Sequence, residues 1–449
     1  MKRLILAGAG HAHAIVLREW ARHPPVDVEL IVVSPEPLAP YSGMVPGWLA
    51  GTYRFDEIVI NFQRLAAAAG AQWIRGAMDG LEPDSQRIRL AGGQALHYDL
   101  LSLNLGSTLR PPQAHHAQVL ALRPLALLRQ HYEPLLARWA KSGLLARIDP
   151  GVEAPGPDRE ARPLVVSAMG SGAAGFEALL AVVHRLRQLR PDRFLRSFLF
   201  SQSTALLAGT PPAVQAAARR ALARAGVELR LGQGWSEAVD ASSDLVLWAT
   251  GAQAHDWQLD PERRGALAVD DAGFIRIDAQ LRSLSHATVF AAGDCASWSP
   301  QALPKAGVFA VRMGPVLARN LRVALCASRQ GSPQSTRQGS HQPTRQGSPQ
   351  STRQGSHQPT RQAEAHPNPQ TKPGSDAQGT LRVPVCGLSG HYTTYQPQSR
   401  FLCLLATGNG RAIASRGDLG VEGAWVWRLK NNIDRGFLHR FRAVPDASG

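Results

Sequence analysis

Leu4-Ile5-Leu6-Ala7-Gly8-Ala9-Gly10-His11-Ala12-His13 is the stretch that decides the fold. The apolar run after Lys2-Arg3 reads as a parallel strand buried on both faces. It feeds a glycine turn and then a helix ending near Arg22-His23-Pro24-Pro25. A strand, a glycine turn and a helix open a dinucleotide-binding βαβ unit. Gly8 would make the tight turn, and Gly10 would let the backbone approach a pyrophosphate on the helix N-terminus. The third position of the G-x-G-x-x-G pattern, ordinarily Gly or Ala, is His13. On these residues alone an ordinary strand-to-helix turn competes with nucleotide binding.

The pattern returns downstream. Pro163 to Met169 reads as a strand, and Gly170-Ser171-Gly172-Ala173-Ala174-Gly175-Phe176-Glu177 is a full G-x-G-x-x-G leading into a helix that runs through about Arg190. Glycines placed between a clear strand and a clear helix make this copy the more specific of the two. In each unit the second strand ends without the acidic residue that usually holds a ribose hydroxyl. Ser34 closes Val28 to Ser34, with Glu36 two residues beyond, and Ser201-Gln202-Ser203 follows Phe198 to Phe200. Neither an acid nor an Arg stands there to choose between NAD and NADP. Asp99 to Ser107 reads as a buried strand ending at Gly106, and Asp244 to Gly251 as the strand closing the second unit.

Between them, Leu120 to Trp139 reads as a helix and Asp149 to Arg162 as a loop. Two short strands follow, at 273–278 and 288–294. Pro304-Lys305-Ala306-Gly307 then opens a helix to about Cys326, which Pro315 is expected to kink or restart.

At 449 residues the chain has room for two or three domains with full cores. A hydrophobic fraction of 44% with only 6% aromatic residues suits an α/β protein. Lys and Arg outnumber Asp and Glu by 49 to 34. No zinc finger, aromatic nucleic-acid motif or concentrated basic arm accompanies that excess, so nucleic acid is not an expected partner. Cys295, Cys326, Cys386 and Cys403 are scattered without CxxC spacing. They offer neither a disulfide framework nor a metal site, and a cytoplasmic setting is the expectation. No uninterrupted apolar run approaches the ~18–20 residues that span a bilayer, and no signal peptide is read.

From Arg329 to Thr360 the chain is four copies of an eight-residue unit, RQGSPQST alternating with RQGSHQPT. So polar a stretch, taken as 328–380, is expected to be a disordered spacer. Order is expected to resume at 381, with paired strands across Gly408-Asn409-Gly410 and a terminal helix from Gly423 to about Phe441. Trp425, Leu429, Ile433, Phe437 and Phe441 recur along that helix, flanked by Arg428, Lys430, Arg435, Arg440 and Arg442. A Trp-bearing basic amphipathic helix suits a membrane surface at 423–442. Packing on the chain's own core or on a second subunit is the alternative.

Taken in order, the two glycine turns, Ala249-Thr250-Gly251 and Ala292-Gly293-Asp294 resemble a known family. It is that of the pyridine nucleotide-disulfide oxidoreductases, nearest the type II NADH dehydrogenases. Pro40-Tyr41-Ser42-Gly43-Met44-Val45-Pro46-Gly47, Pro304 to Ala310 and Glu422-Gly423-Ala424-Trp425 are similar to the flavoprotein module sometimes joined to selenide, water dikinase. The resemblance implies an α/β protein of two Rossmann-like domains, the second inserted in the first, with a small α+β C-terminal region. It assigns 1–118 and 267–327 to an FAD domain, 160–266 to an NAD(P)H domain and 381–449 to the C-terminal region.

By the same resemblance, Gly8, Gly10, His11, Ser34, Gly106, Gly293 and Asp294 serve FAD, with Asp294 accepting from a ribityl hydroxyl. Gly170, Gly172, Gly175 and Gly251 serve NAD(P)H. Lys305, at a helix start aimed at the flavin pyrimidine edge, and Glu177, near the nicotinamide, are the catalytic candidates.

The loop Pro40 to Gly47 lacks the cysteine pair that disulfide reductases carry there. The expected reaction is therefore hydride uptake from NAD(P)H and electron transfer to a quinone or another small acceptor, at the inner face of the cytoplasmic membrane. A sulfur- or selenium-species acceptor is the runner-up. A non-catalytic redox sensor, favoured by the departures at His13, Ser34 and Ser201, is the reading from another class.

Overall fold

The computed structural model describes residues 1–143, 162–327, 390–398 and 401–443. The Arg329 to Thr360 repeat and nearly all of the 149–162 loop lie outside the described residues.

Lys2–Ala7 is the central strand of a five-stranded sheet. Val28–Ser34 and then Gln72–Arg75 lie on one side, Leu100–Leu103 and then Val289–Ala291 on the other. Every pairing is parallel. Leu4, Ile5, Leu6 and Ala7 are all fully buried, so the run is continuously apolar because both faces are covered. The helix His11–Arg22 packs along the helix Gly307–Ala327. Their approach depends on Gly314, where a Cβ would stand 2.7 Å from Ile15 Cβ. Pro315 lies inside the second helix, which continues past it to Ala327.

A second five-stranded parallel sheet repeats this plan. Its order is Gln118–Ala121, Leu245–Trp248, Leu164–Met169, Leu195–Ser201, Val227–Leu231, again with the strand before the glycine turn in the middle. All five strands fall between Leu103 and Val289 in sequence, so the second unit is inserted in the first.

Residues Leu120 and Ala121, read from sequence as helical, are strand, in register with Leu247 and Trp248. The helix begins only at Leu125, after Pro124, and runs to Ser142. A short apolar run cannot be told from a helix by periodicity alone; here the neighbouring strand decided. The second sheet thus takes residues from 118 onward, well ahead of residue 160.

The C-terminal region pairs Cys403–Ala406 with Ala412–Arg416, as the glycine turn implies, and adds Leu419–Gly423 as a third antiparallel strand that sequence reading did not find. The helix Ala424–Arg442 completes it. Its orientation differs from a simple amphipathic docking. Val426, Lys430, Asp434, Leu438 and Phe441 face inward, while Trp425, Leu429 and Ile433 remain exposed.

Candidate active site

The first glycine turn is shaped by a residue from the neighbouring strand. Gly8 has φ +100°, and a Cβ there would lie 2.4 Å from the Asn104 carbonyl oxygen; a Cβ on Gly10 would lie 2.1 Å from Asn104 Oδ1. Both glycines therefore make room for Asn104. Its buried side chain accepts from the N–H groups of Ala12 (3.0 Å) and His13 (3.3 Å), in effect capping the helix, and donates to the Ala292 carbonyl at 2.6 Å. One amide thus ties the Gly8–Gly10 turn to the Ala292-Gly293 turn, which lies 188 residues beyond Asn104 itself, and brings the two expected FAD walls together. Sequence reading missed it. Its signal is a lone Asn between Leu103 and Leu105 at the end of an apolar strand.

His13, the irregular third position, is fully buried. Nδ1 stands 2.7 Å from the Gly8 carbonyl and Nε2 2.8 Å from Ser102 Oγ. A carbonyl only accepts, so Nδ1 carries the proton and Nε2 accepts from the Ser102 hydroxyl. Burial holds the ring neutral, with its pKa pushed down to about 4. The departure is filled by a polar clip across the turn.

His11 opens the helix, edge-on to Tyr41 at 5.5 Å. Burial also pushes it down to about 4, against the pull of the Asp294 charge. The N–H groups of Gly10 and His11 have no partner among the described residues. The space beside Gly106 is open for 4 Å. Ser34 is buried, and its hydroxyl donates to the Glu36 carbonyl at 3.2 Å.

On the opposite wall, Asp294 accepts from Arg123 Nη1 at 2.5 Å and from Ser107 Oγ at 3.4 Å. Arg123 also reaches the Lys305 carbonyl at 3.0 Å. This arginine, in the stretch read from sequence as a helix, straps the second unit to the first. The Lys305 side chain turns inward. Nζ donates to the Ala296 carbonyl at 2.5 Å and lies 3.6 Å from the Phe274 ring centroid, and burial lowers its pKa. The helix itself begins at Gly307, where a Cβ would meet Ser42 Oγ at 2.6 Å, so the 41–43 loop leans on the helix start.

In the second unit, a Cβ on Gly170 would lie 2.6 Å from the Ala249 carbonyl and one on Gly175 only 2.0 Å from the Gly170 carbonyl. These two serve turn and helix packing. Beside Gly172 and Gly251 nothing lies within 4 Å. Glu177 accepts from the Ala406 N–H at 2.6 Å, so the C-terminal sheet is fastened to the second unit's helix. Burial pushes its carboxyl up to about 7, against the opposing influence of Lys430 and the Ala406 hydrogen bond. Lys430 in turn donates to Asp434 (2.7 Å) and to the Gly43 carbonyl (2.5 Å), and Asp434 hydrogen-bonds Tyr41.

Two helix N-termini without an acidic residue in the first turn, free N–H groups at the first, and open space at Gly106, Gly172 and Gly251 fit two dinucleotides.

The comparisons agree with this geometry. Residues 2–331 match the family described as pyridine nucleotide-disulphide oxidoreductase. No curated protein matches the sequence. Among solved structures the chain is similar to sulfide:quinone oxidoreductase from Aquifex aeolicus, with TM-score 0.64 and 12% identity over 99% of this chain and 92% of that one. It is similar also to NDH2 from Plasmodium falciparum in complex with NADH, with TM-score 0.63 and 10% identity over 97% of each chain. A NAD-dependent persulfide reductase from A. fulgidus aligns with TM-score 0.54 and 15% identity over 71% of this chain and 59% of that one. At such identities these three show a shared fold. The family match spans both nested nucleotide units, and the chain belongs to the pyridine nucleotide-disulphide oxidoreductase family, as an FAD- and NAD(P)H-dependent oxidoreductase.

Proposed function

We propose that this enzyme passes two electrons from NAD(P)H, by way of FAD, to a quinone. The net reaction is NAD(P)H + H⁺ + quinone → NAD(P)⁺ + hydroquinone. Bound FAD supplies a ring that accepts hydride and releases electrons to the acceptor. Gly8, Gly10, His11, Ser34, Gly106, Gly293 and Asp294 would hold FAD, and Gly170, Gly172, Gly175 and Gly251 the NAD(P)H. Lys305, fixed between Ala296 and Phe274, would put positive charge behind the helix start at Gly307. Glu177, near pKa 7, would hold or release a proton where the C-terminal region meets the second unit.

The observation that carries the choice of acceptor is the loop at Gly307. It presents Tyr41, Ser42 and Gly43 where a dithiol relay would need cysteines. Cys295 and Cys403 are both pushed up to about 11 by burial, so at neutral pH they are thiols and poor nucleophiles. That weighs against a sulfur or selenium acceptor taken up through either cysteine. A small diffusible acceptor needs no relay.

The exposed row Trp425, Leu429 and Ile433 (56%, 39% and 46% exposed), beside Arg428 and Arg435, supports peripheral contact with an anionic membrane. No helix among the described residues is long and apolar enough to cross a membrane. Anaerobic NADH or NADPH should bleach the FAD-loaded protein, and added menadione should restore its colour; bleaching without reoxidation by any quinone would sink the reading. In flotation with anionic vesicles, Trp425→Ser with Ile433→Ser should abolish binding. A change of oligomeric size instead would mark the row as a contact with a second copy.

A further inference from the structure

Trp425, Leu429, Ile433, Gly436 and Arg440 fall on successive turns of one side of the helix Ala424–Arg442, and each is exposed. The apolar row thus runs past a bare Gly436, beside which nothing lies within 4 Å, and ends in an arginine. There it meets the last two turns of His11–Arg22, which carry Arg18 and Arg22. The Arg18 guanidinium lies over Phe441, 5.6 Å from the ring centroid, and so beside Arg440.

Among the described residues none of these three guanidiniums has a hydrogen bond or an ion pair, and Arg18 Nε is buried without one. Burial first, and then the charges of Arg22 and Arg440, lower the Arg18 pKa; Glu19 opposes them and draws on Arg322 as well. Elsewhere on the terminal helix, Arg435 and Arg442 are taken up by Glu57 and by the carbonyls of Asp56 and Glu57. The dipole of a helix favours a cation in its last turn. That accounts for each arginine singly, but not for two helix ends brought together with their cations unpaired.

Like charges gathered in partial burial repel one another unless an anion stands among them. Guanidinium forks match the oxygens of a phosphate, and three of them can share one. The apolar row on the same side indicates the source. Where such a row enters the acyl boundary of a membrane, the arginine at its end lies at the level of the headgroups.

We propose that Arg18, Arg22 and Arg440 form a binding site for the phosphate of an anionic lipid headgroup, at the end of the apolar row. The assignment rests on the membrane reading above and adds a headgroup site to which the first unit's own helix contributes.

The test uses the FAD-loaded full chain and vesicles of phosphatidylcholine with about one part in three phosphatidylglycerol. In flotation, Arg18→Gln and Arg440→Gln should each weaken partition about fivefold. Arg87→Gln, which removes the same charge from an exposed position on another strand, should leave it unchanged. Circular dichroism and FAD content report whether each variant has folded. A folded Arg18→Gln, Arg440→Gln double variant that floats as the parent does would overturn the assignment. So would release of the parent from these vesicles by millimolar inorganic phosphate, which would mark the site as one for free phosphate. Calorimetric titration with dihexanoylphosphatidylglycerol, kept below its micelle concentration, reads the site without a bilayer. Heat from the parent that the double variant loses supports the site even if the parent floats with no vesicle, a result that would overturn the membrane reading alone. Binding absent from the parent but present in Asp446→Asn would overturn the assignment in favour of the chain's own C-terminal residues.

Discussion

Asn104 shows how a single side chain can fix what a motif only suggests. Gly8 and Gly10 lack a Cβ because Asn104 occupies that space, whereas Gly172 faces open space. The same motif letter therefore has two meanings, and they separate by experiment. Gly10→Ala should lower stability by about 1–3 kcal/mol, in the range of overpacking, and lower FAD content with it. Gly172→Ala, with nothing within 4 Å, should leave the melting temperature unchanged and raise the KM for NAD(P)H. Equal melting temperatures for both variants would refute the distinction.

Glu177 gives a second test. Its carboxyl has an ordinary value of 4.5 and is raised to about 7 in the fold, so the folded state binds the proton more tightly than the unfolded one. Its contribution to stability is fully present below about 4.5 and is lost as pH rises through about 7. Glu177→Gln should therefore gain on the parent in melting temperature across that window and run parallel to it above. A constant difference from pH 4.5 to 7 would contradict the shift.

At the scale of elements, the terminal helix Ala424–Arg442 buries a charged pair among the apolar residues of its inward face. The Lys430 and Asp434 side chains are 5% and 8% exposed and form an i,i+4 pair, while the apolar row one residue behind them faces out. Desolvating two charges is costly unless each is paired and hydrogen-bonded, and here Gly43 and Tyr41 complete the set. Lys430→Met alone should cost about 3–5 kcal/mol by leaving Asp434 buried and unpaired. Adding Asp434→Leu should recover most of that loss. Denaturant titration of the single and double variants decides it, and a double variant as unstable as the sum of the two singles would argue against a coupled pair. Other contacts hold the same helix down: Tyr53 donates to Asn431 at 2.7 Å, and the Phe437 ring packs tilted against Tyr41 at 4.6 Å. The outward row is therefore free for a surface outside the chain.

For the whole molecule, two copies of one five-stranded plan are nested, and polar contacts such as those of Arg110 to Gln253 and Asp256 couple them. Arg123, just before the second unit's first helix, grips Asp294 and the Lys305 carbonyl on the first unit's wall. Glu422, at the end of the small sheet, pairs with Arg220 and Arg224 of the second unit. Arg123→Met should weaken FAD retention about tenfold, since it removes charge-assisted bonds that hold the Asp294 wall. The melting temperature of the apoprotein should change little, because the pair is partly exposed. FAD release on dialysis measures the first, and calorimetry on the stripped protein the second.

What the sequence determined by itself was local and repeated: the continuous apolar strands, the glycine turns, the helix after each, and the order in which both patterns occur. Those follow from backbone sterics and from burial on two faces, and they show in a single linear reading. Asn104, Arg123 and Lys430 were not legible in that way. Each gains its meaning from a partner far along the chain, a hundred residues or more in most cases. Gln118–Ala121 became a strand only because Leu245–Trp248 lay beside it. The tertiary structure decided those points, since hydrogen bonding and desolvation depend on what stands within a few ångströms, and sequence distance does not report that.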